Sequence, residues 1–243
     1  MRLKLLLAGL LTLAPLPALA DVTAYYAGAG GAATIEVDDG GNFRAEFGKM
    51  VTLIRRDGVD YLAVEDPAGK PKVVRVDEML TLIRAQIAKP ESAPPAEMMG
   101  DFALVGGGDE TVAGYAGTVW RFGPAGKPSV TGQAAPGSSR DQVDLVMSAD
   151  PKLAPIGAVF RHLFESLAPV LEPALGQGNF MTLAGELAAK GTPIRIGPVM
   201  ALARVDTADI ASARFELPGP VLPAAELMAM MRPPAPAPMS PLP

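Results

Sequence analysis

The feature that most constrains the fold is a series of short alternating segments separated by turn-forming residues. In Phe43–Phe47, apolar side chains alternate with Arg44 and Glu46, which is the period of a strand with one wet face. Asp57 and Gly58 lie between two such segments, and an Asp-Gly pair readily adopts the positive φ angles of a two-residue hairpin turn. The sequence therefore predicts a five-stranded antiparallel meander over residues 33–37, 43–47, 50–56, 59–65 and 72–76.

Three segments have the spacing of amphipathic helices. Apolar residues recur every three or four positions from Asp77, a suitable N-cap, to Ile87. Residues 150–171 present the broadest apolar face of the chain. A third helix is predicted over Phe180–Ala189, and Gly191 suits the left-handed conformation that often ends a helix.

Further strands follow the first helix, over residues 102–108, 115–122, 142–149, 193–196, 199–206 and 214–218. We expect the last of them to return to the sheet that the meander begins, so that residues 21–223 form a single α+β domain. The glycine-rich stretch Gly106–Asp109 lacks the following Lys-Ser/Thr of a phosphate-binding loop and is interpreted as a turn.

The first 20 residues have the layout of a secretory signal peptide. Arg2 and Lys4 precede the apolar stretch Leu5–Leu13, and a small-x-small site predicts cleavage between Ala20 and Asp21. The alternative is a retained anchor, but the apolar run is shorter than the ~20 residues of a spanning helix. We therefore expect a soluble protein exported to the periplasm of a Gram-negative bacterium, with no stable membrane insertion.

Composition limits the available chemistry. Cleavage would leave 19 basic against 26 acidic side chains, a balance of −7, which argues against a nucleic-acid groove. The absence of cysteine excludes thiolate chemistry and a lipid-modified N-terminus. His162 is the sole histidine, and no Gly-x-Ser-x-Gly elbow occurs. We expect no catalytic residues, no metal site and no cofactor.

Four units occur in a characteristic order: a Gly-Tyr strand at Val112–Phe122, a strand leading into a helix at Asp144–Leu153, a Lys-Gly-Thr-Pro turn from Lys190, and a closing segment at Asp209–Pro220. Together they resemble a family of uncharacterised secreted bacterial domains, itself similar to the periplasmic lipoprotein carriers LolA and LolB. The resemblance spans most of the chain after residue 20. It implies a strongly curved antiparallel sheet, an incomplete barrel, with helices packed on the concave side around an apolar cavity for acyl chains.

Apolar residues of the sheet and the long helix are candidates for lining that cavity. Two aromatic residues two positions apart share a strand face, two others share a helix face, and several methionines fall in predicted strands, where flexible thioethers suit an adaptable pocket. The alternative is that all of them are ordinary core. The candidates are Met50, Trp120, Phe122, Met147, Phe160, Phe164 and Met200.

Two functions stay open at this point. The first is non-catalytic binding of a hydrophobic or acylated ligand, as the resemblance implies. The second is a structural or interaction protein of the cell envelope, with a closed core and no small ligand. A terminal helix over residues 224–231 would dock a protein partner, cap the protein's own cavity in competition with a ligand, or be a frayed terminus without a role. The Pro-rich tail, residues 232–243, is expected to be disordered.

Overall fold

A computed structural model describes residues 21–48, 51–66, 68–87, 101–125, 142–175 and 178–231. The predictions made for the signal peptide, for Met50 and for the Pro-rich tail lie outside the described residues, as do the connections over residues 88–100 and 126–141.

The described strands form one antiparallel sheet of eleven strands that does not close into a barrel. Its order is β6-β5-β4-β3-β2-β1-β11-β10-β9-β8-β7, so the two halves of the chain meet where β1 pairs with β11. The expectation that the last strands return to the sheet of the meander is confirmed. The strands are β1 (Val22–Gly28), β2 (Gly31–Val37), β3 (Phe43–Phe47), β4 (Val51–Arg56), β5 (Val59–Glu65), β6 (Pro71–Arg75), β7 (Phe102–Val112), β8 (Tyr115–Pro124), β9 (Val143–Ser148), β10 (Thr192–Ile196) and β11 (Met200–Asp206).

Within the described residues, four α-helices accompany the sheet: α1 (Val76–Ile87), α2 (Ala154–Leu175), α3 (Phe180–Ala188) and α4 (Ala224–Met231). Helix α1 contacts β5 and β6, α2 contacts β1, β2 and β10, and α3 contacts β7. Because α2 also contacts both α1 and α3, these three helices form a layer that extends from one edge of the sheet to the other. Helix α4 packs on α1 and β6 at the β6 edge.

The sheet is strongly curled at its β7 end. In a flat sheet β7 and β11 would lie about 19 Å apart, since three strands separate them and neighbouring strands are spaced by about 4.8 Å. Their Cα atoms instead approach within 8 Å. A salt bridge of 2.7 Å between Arg195 of β10 and Glu110 of β7 also spans two intervening strands.

The main core fills the contact between α2 and the middle of the sheet. Leu153, Ile156 and Val159 lie at the beginning of the α2 segment and are at most 3% exposed. They belong to one apolar cluster with side chains of β1, β2 and β3, among them Ile35 and Ala45, which are fully buried. The alternation of apolar and polar residues along these strands supplies the sheet side of the core.

Three sequence-based expectations need correction. Residues 214–218 are not a strand, because Ser212–Phe215 form a 3-10 helix that buries Phe215. The N-terminal meander has six strands, because β1 precedes the five that were predicted. Gly106–Asp109 is not a turn but lies inside β7, where the pairing with β8 shifts register between Gly106 and Asp109. Glycines permit such a bulge, and a Cβ on Gly106 would lie 3.5 Å from the Trp120 ring.

An apolar cavity as the candidate functional site

An apolar cavity of about 200 Å³ lies between α2, α3 and strands β9 and β10. Helix α2 contributes Phe160 and Phe164 to its wall, and α3 contributes Leu187. The lining is almost entirely apolar. The other lining residues are Leu145, Met147, Gly157, Arg161, Ala184, Ala188, Gly191, Pro193 and Ile196.

The cavity exists because small residues of α3 meet large residues of α2 and the sheet. Ala184 and Ala188 are four positions apart and therefore occupy the same face of α3. Phe160 and Phe164 have the same spacing on α2. Methyl side chains in place of larger apolar ones leave volume between the two helices that nothing else in the lining fills.

A close approach between α2 and β10 fixes one end of the cavity. The Thr192 hydroxyl donates a hydrogen bond of 2.8 Å to the Leu153 carbonyl oxygen. A Cβ on Gly157 would lie 2.5 Å from the Thr192 Oγ1 atom, so only glycine lets the helix approach the strand this closely. Gly191 has a φ of 129°, a conformation that L side chains rarely adopt, at the turn between α3 and β10.

Tyr26 belongs to the main core and contacts two residues that line the cavity. Its hydroxyl donates a hydrogen bond of 3.0 Å to the Pro193 carbonyl oxygen, and its ring meets the Phe160 ring edge to face at 5.9 Å. Burial raises the pKa of the Tyr26 hydroxyl well above its usual value. Tyr26 is therefore neutral at physiological pH and remains a hydrogen-bond donor.

Three of the seven residues predicted for the cavity line it: Met147, Phe160 and Phe164. The other described candidates lie elsewhere. Phe122 stacks on Phe102 at 5.3 Å and meets Phe180 edge to face. Trp120 lies beneath the Lys190 ammonium, and Met200 packs against the main core. Met50 lies outside the described residues.

None of the lining residues of α3 and β10 was among the candidates predicted from the sequence. Leu145 was within reach of sequence reasoning, because it alternates with Met147 on the same strand face. The alanines of α3 carry no such signal, since nothing in their spacing distinguishes alanines that face a cavity from alanines that face a neighbouring side chain.

The one charged residue in the lining is Arg161, which is exposed at the cavity margin. No carboxylate among the described residues lies within 4.0 Å of its guanidinium. A second cation is close in sequence to the lining: the Lys190 ammonium lies 4.7 Å from the centre of the Trp120 ring, a cation–π distance.

The sole histidine belongs to a polar cluster beside the closed core. The His162 Nε2 atom lies 2.7 Å from Oδ2 of Asp60 and 2.6 Å from Nη1 of Arg55. Arg55 also donates to Oδ1 of Asp60 at 3.1 Å, and the His162 ring meets Phe43 edge to face. These contacts link α2 to the β4–β5 hairpin. Across the part of the chain that the structure describes, no cluster of three or more His, Asp or Glu side chains is arranged to hold a metal ion.

No protein-family model matches the chain, and no curated protein is significantly similar to it. The resemblance to the lipoprotein carriers therefore stays a prediction. Within the described ranges, no helix combines the length and the apolar character that crossing a bilayer requires.

Proposed function

We propose that this protein is a periplasmic, non-catalytic binding protein for a hydrophobic or acylated ligand. The observation that supports the proposal is the apolar cavity between α2, α3 and the sheet, which lies beside the buried main core. Apolar cavities that are too dry to hold ordered water readily bind small apolar molecules.

The size of the cavity limits the ligand to a single chain. An engineered apolar cavity of about 150 Å³ is large enough for benzene, whereas pockets for drug-sized ligands measure about 300–1,000 Å³. A cavity of about 200 Å³ therefore suits one short alkyl segment. A molecule with two acyl chains would need the helices to separate.

The proposal includes an arrangement like that of the lipoprotein carriers, with an incomplete barrel and helices on its concave side. The open eleven-stranded sheet, its curl at the β7 end and the helical layer across it are compatible with this arrangement. Export by the N-terminal signal sequence would place the protein in the same compartment as those carriers.

Isothermal titration calorimetry with octanol tests the proposal, using the chain without residues 1–20. Ala184→Leu fills the cavity from α3 while keeping a good helix former. Displacing about two methylene groups at ~0.8 kcal/mol each should weaken octanol binding about tenfold.

The matched control is Ala225→Leu, which makes the same change on the exposed side of α4 and should leave the octanol affinity within about twofold. Absence of octanol binding by the unaltered protein, or an equal effect of both substitutions, would contradict the proposal.

The second candidate is an envelope interaction protein without a small ligand. Val221 and Met230 support it, because both are more than two-fifths exposed near the C-terminal end of the described chain. This function predicts that Met230→Glu abolishes capture of an envelope protein in a pull-down while octanol binds to neither form. Capture that is unaffected by the substitution would exclude it.

A further inference from the structure

We propose that Arg161 makes the cavity selective for a single-chain amphiphile with an anionic head group. The proposal rests on the proposed function, because it assigns a head group to a ligand whose chain occupies that cavity. The observation behind the proposal is the position of the Arg161 side chain in a cavity lining whose other described residues are apolar.

Arg161 lies where a head group would emerge. It is one residue from Phe160 and three from Phe164, so it lies on the same part of α2 as the aromatic wall. Because Arg161 lines the cavity yet is exposed, its aliphatic stem can cover apolar surface while its guanidinium stays in water. An alkyl chain inside the cavity and an anion at its margin would match both parts of this side chain.

The guanidinium is well suited to an anionic oxygen ligand. Its planar array of N–H donors matches carboxylate and phosphate groups in a bidentate manner. Asp144, Glu165 and Glu186 each adjoin a lining residue in sequence, but none of them contributes to the lining. Asp144 pairs with Arg121 at 3.5 Å, whereas Glu165 and Glu186 are exposed. Neither forms an ion pair with Arg161 within 4.0 Å.

We assign the selectivity to Arg161 rather than to Lys190. Lys190 precedes the lining residue Gly191, but it does not itself line the cavity. Its ammonium is placed over the Trp120 ring of β8, which already provides a partner.

Calorimetric titration with four ligands of equal chain length tests the assignment: octanoate, octyl phosphate, octanol and octylammonium. The better of the two anions should bind about threefold to fivefold more tightly than octanol, the range of an exposed ion pair. Octylammonium should bind more weakly than octanol. The advantage of the anions should shrink in 0.5 M salt, since the Debye length falls from about 10 Å to about 4 Å.

Arg161→Gln should remove the affinity advantage of the anions over octanol, measured as the ratio of the two affinities in the same variant. Arg84→Gln removes an equal charge from the exposed surface of α1, outside the cavity, and should change neither value. Circular dichroism and urea unfolding establish that both variants are folded. The anion that binds more tightly distinguishes a carboxylate from a phosphate head group, and either supports the assignment.

The titrations distinguish a wrong assignment of the anionic head group from a wrong proposal for the apolar site. If octanol binds and both anions bind no more tightly, or if Arg161→Gln weakens octanol and the anions equally, the anionic head group is overturned while the apolar site stands. If neither octanol nor the anions bind, both proposals fail together.

Discussion

The beginning of helix α2 and the part around Phe160 and Phe164 pack against the rest of the protein in different ways. Leu153, immediately before the helix, and Ile156, in its first turn, are fully buried in the main core. Phe160 and Phe164, one and two turns further on, are only partly buried and border a cavity. All four side chains are large and apolar, so hydrophobicity alone does not decide where the packing against this segment leaves a cavity.

The difference comes from what lies opposite the helix. The beginning of α2 belongs to one buried apolar cluster with branched side chains of the sheet, such as Ile35 of β2. Opposite Phe164, α3 presents Ala184 and Ala188. Large side chains that face one another fill the space between them, whereas large side chains that face alanines leave a cavity. The beginning of α2, here called the closed part, should therefore contribute stability. The part around Phe160 and Phe164, the open part, should contribute ligand binding.

Removing a large side chain from the closed part should have the largest effect on stability. Ile156→Ala should lower the free energy of unfolding by about 3 kcal/mol, because it removes buried methyl groups and leaves a void in a packed core. Urea unfolding followed by circular dichroism measures the change.

The octanol affinity of Ile156→Ala should remain within about twofold of the unaltered protein. A loss of stability below about 1 kcal/mol, or a large loss of octanol binding, would show that the two parts of α2 are not distinct.

Two substitutions of helical glycines should change the stability by smaller amounts than Ile156→Ala, and in opposite directions. Gly157→Ala should destabilise by about 1–3 kcal/mol, because the new Cβ would lie 2.5 Å from the Thr192 hydroxyl oxygen at the junction of the closed and open parts. Gly185→Ala, in α3, should instead stabilise by up to about 1 kcal/mol, since the nearest atom, Cε1 of Phe164, is 3.9 Å away.

Thermal and urea unfolding of these two variants give opposite signs if the contact at Gly157 is as close as the structure places it. Stabilisation by Gly157→Ala would mean that α2 and β10 can move apart freely at that point.

Local features of the sequence were sufficient to predict most strands and helices. Asp57 and Gly58 have φ angles of 51° and 78°, and Arg56 pairs with Val59 across them, as the Asp-Gly signal predicts for a two-residue hairpin. The bulge at Gly106–Asp109 was missed because glycine favours turns and bulges alike, and only pairing with β8 distinguishes them.

The cavity was only partly predictable, because it depends on which faces meet over long distances in the chain. Helical spacing placed Phe160 and Phe164 on one face, but it could not show that Ala184 and Ala188 lie opposite them. Trp120 was assigned to the cavity because it lies on the same strand face as neighbouring candidates, yet it is paired with Lys190. The periodicity of apolar residues shows which side chains share a face of a helix or strand, but it does not show which element packs against that face.

Methyl NMR during an octanol titration tests the central claim most directly, because it observes both parts of the molecule at once. We expect the methyl resonances of Met147, Leu187 and Ile196 to shift and saturate, while those of Ile35 and Leu153 stay unchanged. Unchanged cavity methyls at high octanol concentration, or shifts confined to exposed residues such as Met230, would contradict it.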